Sequence, residues 1–254
     1  MIDLHSHLLP GVDDGSRTVA QSARVLAAFK AQGVTDIAAT PHLLASRAGA
    51  GLPEHYEAAW EKLRGVIPPG VTVHRGAEVM LDRPLPPEVA ATRDITLGGT
   101  RYLLVEFPRM VAAEIVARAL REVMQYGLVP VLAHPERYSC CSVEAVRAWR
   151  EMGAVMQVDA TTLTMTTSRE DRARDLERAG VADILAADNH GDDRSVASAL
   201  DWLAEHDGAE QALLLLDANP RAILDDRALY EVDPLPIRDS LWGRMRRLFA
   251  TDDH

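Results

Sequence analysis

The 254-residue chain predicts an α/β fold, a parallel sheet with helices packed outside it. Two observations support this class. Short apolar segments with strand character alternate with helical segments about seven times along the chain. Residues able to bind metal fall where those strands give way to loops: His5 and His7, His42, Glu78, Glu106, His134, Asp159, then Asp188 and His190. The intervals are about 25 to 37 residues, roughly one βα unit each. In a closed α/β barrel such positions converge on the C-terminal mouth, where barrel enzymes keep their chemistry.

Residues 2–15 read IDLHSHLLPGVDDG. A strand here points Asp3, His5 and His7 to one face, and Pro10, Gly11 and Asp13-Asp14-Gly15 break it into a turn. Ser16 or Thr18 caps a helix running to about Gln32, with Ala20, Ala23, Leu26 and Phe29 on its apolar face and Gly33 at its end. Residues 35–40 form a strand running into Pro41 and His42. The Ala-, Gly- and Ser-rich stretch 43–53 reads as a loop and 54–66 as a helix closed by Pro68-Pro69-Gly70. A strand over 71–77 delivers Glu78, and the proline-rich, acidic stretch 81–96 reads as loop with a short helix. Strands over 102–105, 128–133, 154–158 and 182–187 deliver Glu106, His134, Asp159 and the Asp188–His190 pair. Helices over 112–126, 143–152 and 169–179 join them; 196–206 and 210–216 are helical, and Asn219-Pro220 opens one more short helix. His55, His74, His206 and His254 lie off the strand ends and read as surface or structural residues.

Composition narrows the class further. The 47% hydrophobic and 26% charged fractions are those of a globular protein with a sizeable core. No stretch approaches the roughly 18 apolar residues of a spanning helix, and the polar, histidine-bearing N-terminus does not read as a signal peptide. Cys140 and Cys141 are adjacent, a spacing that rarely forms a structural disulfide, which fits a reducing cytoplasm. A net charge of -11 argues against nucleic acid as a partner and requires a local positive site for any anionic substrate.

Repeated imidazoles and carboxylates around one mouth suit a cluster of divalent ions, since imidazole favours Zn, Fe and Mn-like metals while carboxylates bridge neighbouring ions. No cysteine joins the set. Two or three such ions bind phosphate oxygens and lower the pKa of a water toward 7, which is the chemistry of phosphoester or amide hydrolysis. Arg137, three residues after His134, and Arg194, four after His190, bring guanidinium groups to the same mouth, where a planar fork suits phosphate. Cys141 to Arg147 has the C-x5-R spacing of cysteine-dependent phosphatases, but the intervening SVEAV has no glycine to expose backbone N–H groups. Ser142 reads instead as a helix N-cap.

DLHSHLLPGVDDG, TPH at 40–42, GAE at 76–78, EF at 106–107, HPERY at 134–138, DNH at 188–190 and NPR at 219–221 occur in order. In these motifs the chain resembles the PHP (polymerase and histidinol phosphatase) superfamily and, within it, the CpsB/CapC/YwqE-type bacterial tyrosine-protein phosphatases. The resemblance covers roughly residues 1–224. It implies a distorted seven-stranded (β/α) barrel of PHP type over residues 1–230, holding three divalent ions, with manganese ahead of Fe, Zn, Co or Mg. It places His5, His7 and Asp188 on one ion, with Glu78 bridging to a second that Glu106 and His134 complete. Asp14, His42 and His190 hold the third. It makes Arg137 a phosphate-binding or catalytic residue and Arg194 the basic residue after the DxH motif, here across a shortened gap. Asp3 is expected to orient a histidine, and Asp13 to serve the turn.

The substrate the resemblance implies is phosphotyrosine on the tyrosine-rich tail of a bacterial kinase controlling capsule or exopolysaccharide synthesis. A phenol of pKa near 10 leaves more easily than an alkyl alcohol, so no strong general acid is needed. Residues 231–254 form a C-terminal tail in which Leu241, Trp242, Met245, Leu248 and Phe249 interleave with Arg244, Arg246 and Arg247. It reads either as a basic amphipathic helix touching a membrane or membrane-bound kinase, or as a terminal helix packed on the barrel. An oligomer is compatible with the sequence. The competing readings are a PHP phosphoesterase for a small phosphomonoester or nucleic-acid end, and a non-catalytic metal-binding regulator. An amidohydrolase-type site is disfavoured, because no lysine sits at a strand end.

Overall fold

The computed structural model describes residues 1–50, 52–165 and 168–236. Along the chain come β1 (Ile2–Ser6), α1 (Val19–Ala31), β2 (Asp36–Ala39), β3 (His42–Leu44), α2 (Glu54–Arg64), β4 (Thr72–Arg75), β5 (Glu78–Met80) and α3 (Pro87–Thr92). There follow β6 (Tyr102–Glu106), α4 (Ala113–Gln125), β7 (Val129–Ala133), α5 (Val143–Glu151), β8 (Val155–Asp159) and α6 (Ser168–Arg178). The last are β9 (Ile184–Ala186), α7 (Ala197–Glu205), α8 (Ala209–Leu213) and α9 (Asn219–Leu224).

All strand pairings are parallel, in the orders β1-β2-β4 and β3-β5-β6-β7-β8-β9. The two sheets are one barrel wall with two broken staves. Between β2 and β3 stands Pro41, which has no N–H to give to a ladder. Between β4 and β5 stands Gly76, where a Cβ would lie 3.2 Å from Leu97 and 3.3 Å from Thr40. The breaks lie side by side, joined by Glu78 N–H donating to the Pro41 carbonyl at 3.0 Å. A parallel bridge between Ser6 and Asn189, with His7 N–H on the Asn189 carbonyl at 2.8 Å, closes the wall beside β1. The nine strand segments among the described residues thus make the seven staves of a distorted (β/α) barrel.

One core cluster fills the barrel below the mouth with strand residues such as Ile2, Leu4, Leu104, Val131, Ala133 and Ile184. The other joins outward-facing Ile37, Leu103, Leu132, Met156 and Leu185 to helix residues Phe29, Leu120 and Val146. Burial on both faces is why these strands read as continuous apolar runs rather than alternating ones. The caps fall where the hydroxyls predict: Thr18 Oγ1 accepts from Gln21 N at 3.2 Å and Ser142 Oγ from Ala145 N at 3.1 Å.

Three features differ from the sequence reading or extend it. The expected loop 43–53 begins with Leu43 and Leu44 of β3, paired to β5, then has a 3-10 turn at Ala45–Ala50 that buries Ala45 and Ala48. A two-residue apolar step before a run of small residues is too short to read as a strand, so its pairing with β5 decides the outcome. The NPR run lies at the end of the barrel opposite the mouth. There Asn219 bonds the backbone of Asp183 and Tyr230, and Arg221 grips Asp36 at the start of β2 with two bonds of 3.1 and 2.6 Å. Finally, the packing continues past residue 230, with Val232 and Leu235 buried and Leu235 N–H donating to the Glu177 carbonyl at 3.1 Å. The amphipathic run from Leu241 to Phe249 lies outside the described residues. No helix among the described residues is long and apolar enough to cross a membrane.

Candidate metal centre

The mouth begins at a defect in β1. Asp3 pairs with Ile37 but Ser6 with Ala39, so three steps on β1 match two on β2. This bulge contains His5 and re-aims it out of strict alternation. Asp3 holds the bulge: its Oδ1 accepts from the backbone N–H of His5 and of Ala187, each at 3.2 Å. It therefore touches the histidine backbone, not the ring. The ring partners are Gln157, whose Oε1 is 2.9 Å from His5 Nδ1, and Asp13, whose Oδ2 is 2.9 Å from His7 Nδ1. Asp13 also serves the turn, its Oδ1 accepting from Gly15 N at 3.0 Å. That turn packs so tightly that a Cβ on Gly15 would lie 2.3 Å from the Cβ and carbonyl oxygen of His7. Neither ring partner was legible in the sequence. For Gln157 the only available signal was a polar residue inside a buried strand.

Around these histidines the strand ends deliver the remaining donors. Glu78 Oε2 lies 3.2 Å from His5 Nε2, 3.3 Å from His7 Nε2 and 3.0 Å from His42 Nδ1. Asp188 Oδ1 lies 3.2 Å from the same His5 nitrogen and 3.3 Å from that of His7. Glu106 Oε1 is 3.2 Å from His42 Nδ1, while Asp14 Oδ1 is 3.3 Å from His42 Nε2 and 3.4 Å from His190 Nε2. His134 Nε2 sits 2.9 Å from Glu78 Oε1 and 4.0 Å from Glu106 Oε2. His134 (φ 35°) and Asp188 (φ 47°) both adopt the left-handed backbone region, strain of the kind that gathers at functional sites.

The donors form three overlapping groups in which one atom per residue lies within 4.8 Å of every other. These are His5, His7, Glu78 and Asp188; His7, Asp14, His42 and His190; and His42, Glu78 and Glu106. His7, His42 and Glu78 each belong to two groups, whereas His134 reaches the cluster through Glu78.

A cation fits this donor set on one decisive observation. Glu78 Oε2 and Asp188 Oδ1 are buried and crowded by imidazole nitrogens, yet neither has a hydrogen-bond partner among the described residues. The two Nε2 atoms of His5 and His7 likewise face one another at 3.3 Å. Donor atoms from five rings and four carboxylates converge there on shared points, as ligands of a divalent ion do.

Electrostatics reinforce this. Burial alone would raise the Glu78 and Asp188 carboxyls, but the neighbouring imidazoles, and for Asp188 also Arg137, outweigh it and hold both well below the usual range. They are therefore anionic at neutral pH. Burial, followed by the Asp159 charge, pushes Glu136 up to about 7. Burial with the Glu136 charge pushes the Cys141 thiol up to about 12, so no thiolate is available to a C-x5-R mechanism.

Arg137 and Arg194 both approach Asp188. Arg137 Nη2 is 2.6 Å from Asp188 Oδ2 and also bonds Asp159 Oδ2, while Arg194 Nη1 is 3.7 Å from Asp188 Oδ2 and its Nε bonds Asp192 at 2.8 Å. Asp159, at a strand end like the donors, is in none of the three groups and faces Arg137 instead.

A parallel barrel carrying clustered imidazole and carboxylate donors at the C-terminal ends of its strands defines a metal-binding (β/α) barrel protein. Over residues 1–225 the chain matches, and belongs to, the CpsB/CapC family of capsular polysaccharide synthesis. It is 26% identical over 253 residues to the tyrosine-protein phosphatase YwqE of Bacillus subtilis, covering 96% of this chain and 99% of that protein. It is 27% identical over 244 residues to the tyrosine-protein phosphatase CpsB of Streptococcus pneumoniae, covering 90% of this chain and all (100%) of that one. A crystal structure from work on these two proteins, described as unique metal-dependent tyrosine phosphatases, superposes with a TM-score of 0.77 at 25% identity, covering 94% of this chain and 100% of that one. The phosphotriesterase of Mycobacterium tuberculosis shares the fold, with a TM-score of 0.59 at 14% identity over 90% of this chain and 95% of that one.

Proposed function

We propose that this chain is a metal-dependent tyrosine-protein phosphatase acting in capsular or exopolysaccharide synthesis, with phosphotyrosine on a bacterial kinase tail as its substrate and the cytoplasm as its place of action. The observation that carries the reading is the pair of buried oxygens Glu78 Oε2 and Asp188 Oδ1, which have no hydrogen-bond partner among the described residues and are crowded by imidazole nitrogens. The names and shared architecture of YwqE and CpsB support the substrate class. The proposed ligands are His5, His7, Asp14, His42, Glu78, Glu106, His134, Asp188 and His190, holding three ions with Mn²⁺ the first candidate.

Divalent ions held there supply Lewis acidity, neutralising phosphoryl oxygens and lowering the pKa of a water toward 7. The chain's own residues do the rest. Gln157 and Asp13 fix the rings of His5 and His7, so the donors meet an ion without reorganising. Arg137 is held by one nitrogen, Nη2, against Asp159 and Asp188, which leaves the other edge of its fork to hydrogen-bond phosphoryl oxygen. Arg194 brings a second positive charge to the same carboxylate. Full burial of His5, His7 and Glu78 excludes bulk water beneath the reacting phosphorus.

The test is phosphate release from a phosphotyrosyl peptide by metal-stripped protein, before and after Mn²⁺ is restored. Activity appearing only with metal supports the proposal. Metal-loaded protein that leaves the peptide untouched overturns it.

A further inference from the structure

We propose that the cavity beside the metal centre is a subsite for an acidic side chain flanking the phosphotyrosine of the substrate, held by Arg17 and Arg24. The proposal rests on the phosphatase reading above. The cavity measures about 520 Å³, and its lining includes Asp14 and His190, which belong to one of the donor groups. The rest of the lining comes from the end of the VDDG turn and the first turns of α1, including Arg17, Gln21 and Arg24. A peptide placing its phosphate at the metal centre therefore has this cavity next to it.

The wall is built rather than incidental. Gln21 Nε2 donates to the Gly191 carbonyl at 2.8 Å, tying α1 to the loop that carries His190. Gly191 makes the approach possible: it sits at φ +77°, and a Cβ there would meet Gln21 Nε2 at 2.4 Å.

The two guanidiniums are free for a ligand. Arg137 and Arg194 are each tied to carboxylates, whereas neither Arg17 nor Arg24 pairs with an acidic group among the described residues. Among the described residues Arg17 hydrogen-bonds through its backbone N–H to Gln21 Oε1, and the Arg24 head through Nη2 to the Gly191 carbonyl at 3.5 Å. In a chain with 38 acidic and 27 basic residues, internal partners were plentiful. The one acidic lining residue, Asp14, turns its Oδ1 to His42 and His190 at 3.3 and 3.4 Å, so its charge belongs to the donor group. A net charge of -11 repels an acidic peptide at long range, and this cationic cavity supplies a local attraction beside the reaction site.

The experiment compares metal-loaded protein on free phosphotyrosine and on three phosphotyrosyl peptides identical except for flanking Glu, Gln or Lys. The Glu-flanked peptide is expected to exceed the Gln-flanked one about tenfold in kcat/KM, a margin that shrinks as salt is raised. In the Arg17→Glu, Arg24→Glu double variant the order inverts in favour of Lys. Both side chains are exposed, so the variant is expected to fold, and far-UV circular dichroism is the check. Hydrolysis of all peptides without a flank preference, or a preference that survives the double substitution, overturns the subsite while leaving the phosphatase reading intact. No hydrolysis of free phosphotyrosine or any peptide overturns both.

Discussion

Arg137 places its Nη2 2.6 Å from Oδ2 of Asp188, joining the arginine of the HPERY run after β7 to the carboxylate of the DNH run after β9. Asp159 bonds the same nitrogen, and is itself fixed by Thr161, whose N–H and hydroxyl donate to its Oδ1 at 2.8 and 2.7 Å. A metal-capable carboxylate at a strand end is thus turned to an arginine instead.

Replacing Arg137 with Ala should lower kcat/KM on phosphotyrosine by about a hundredfold or more, because the phosphoryl group loses a preorganised fork. Arg137→Lys should rescue little of this, since an ammonium cannot reproduce that fork. Asp159→Asn should lose about tenfold, with metal content unchanged. Elemental analysis beside steady-state kinetics decides the point, because loss of metal from Asp159→Asn would make it a ligand.

Chelation should lower the melting temperature, because it leaves the buried anionic Glu78 and Asp188 to be balanced by the imidazoles and Arg137 alone. At an Mn²⁺ concentration a hundred times the dissociation constant, one site contributes about 2.7 kcal/mol, or roughly 5–10 °C for a chain this long. Thermal melts of stripped and reloaded protein read this directly. Identical melts would count against an ion in the basin.

The clasp far from the mouth has its own pH signature. Burial would raise the Asp36 carboxyl, but hydrogen bonds from Arg221, His74 and Thr35 outweigh it and bring it from 3.8 to about 2. A carboxyl lowered on folding binds fewer protons in the folded state, so its stabilisation is complete above about pH 4 and disappears as pH falls toward 2. Arg221→Ala should cost about 1–2 kcal/mol at pH 7, after allowing for solvent screening of the half-open arginine, and should flatten the slope between pH 4 and 2. Urea titrations across that range check both parts.

Cys141→Ser should retain full phosphatase activity, since the thiol is held protonated and lies outside the donor groups. Ser142→Ala, one residue on, should cost about 1 kcal/mol in urea unfolding through loss of the α5 cap, without changing turnover. A Cys141→Ser enzyme that binds metal but is inactive would reopen the cysteine mechanism.

Much of the centre was legible along the chain because strand ends are marked twice, by the end of an apolar run and by a polar donor just beyond it. HSH, TPH, GAE, EF, HPERY and DNH follow that rule, and the structure brings their His and carboxylate residues to one mouth. The broken staves were not legible: Pro41 and Gly76 look like ordinary punctuation until β3 and β5 pair beyond them. Nor was the partner of each ring. Gln157 is 152 positions from His5, and Asp159, at a strand end like the grouped donors, is turned instead to Arg137 and Thr161.

Periodicity and residue chemistry act over a few neighbours, which is enough to decide where strands, helices and caps fall and which side chains can carry metal or phosphate. Which donors share a point, which carboxylate holds an arginine, and which arginines remain open to a ligand depend on ångström-scale approaches between segments far apart in sequence. The grip of Arg221 on Asp36, 185 positions away, exists only once the barrel has closed. Barrel closure sets those distances, because Coulomb and hydrogen-bond energies depend on separation in space and not along the chain.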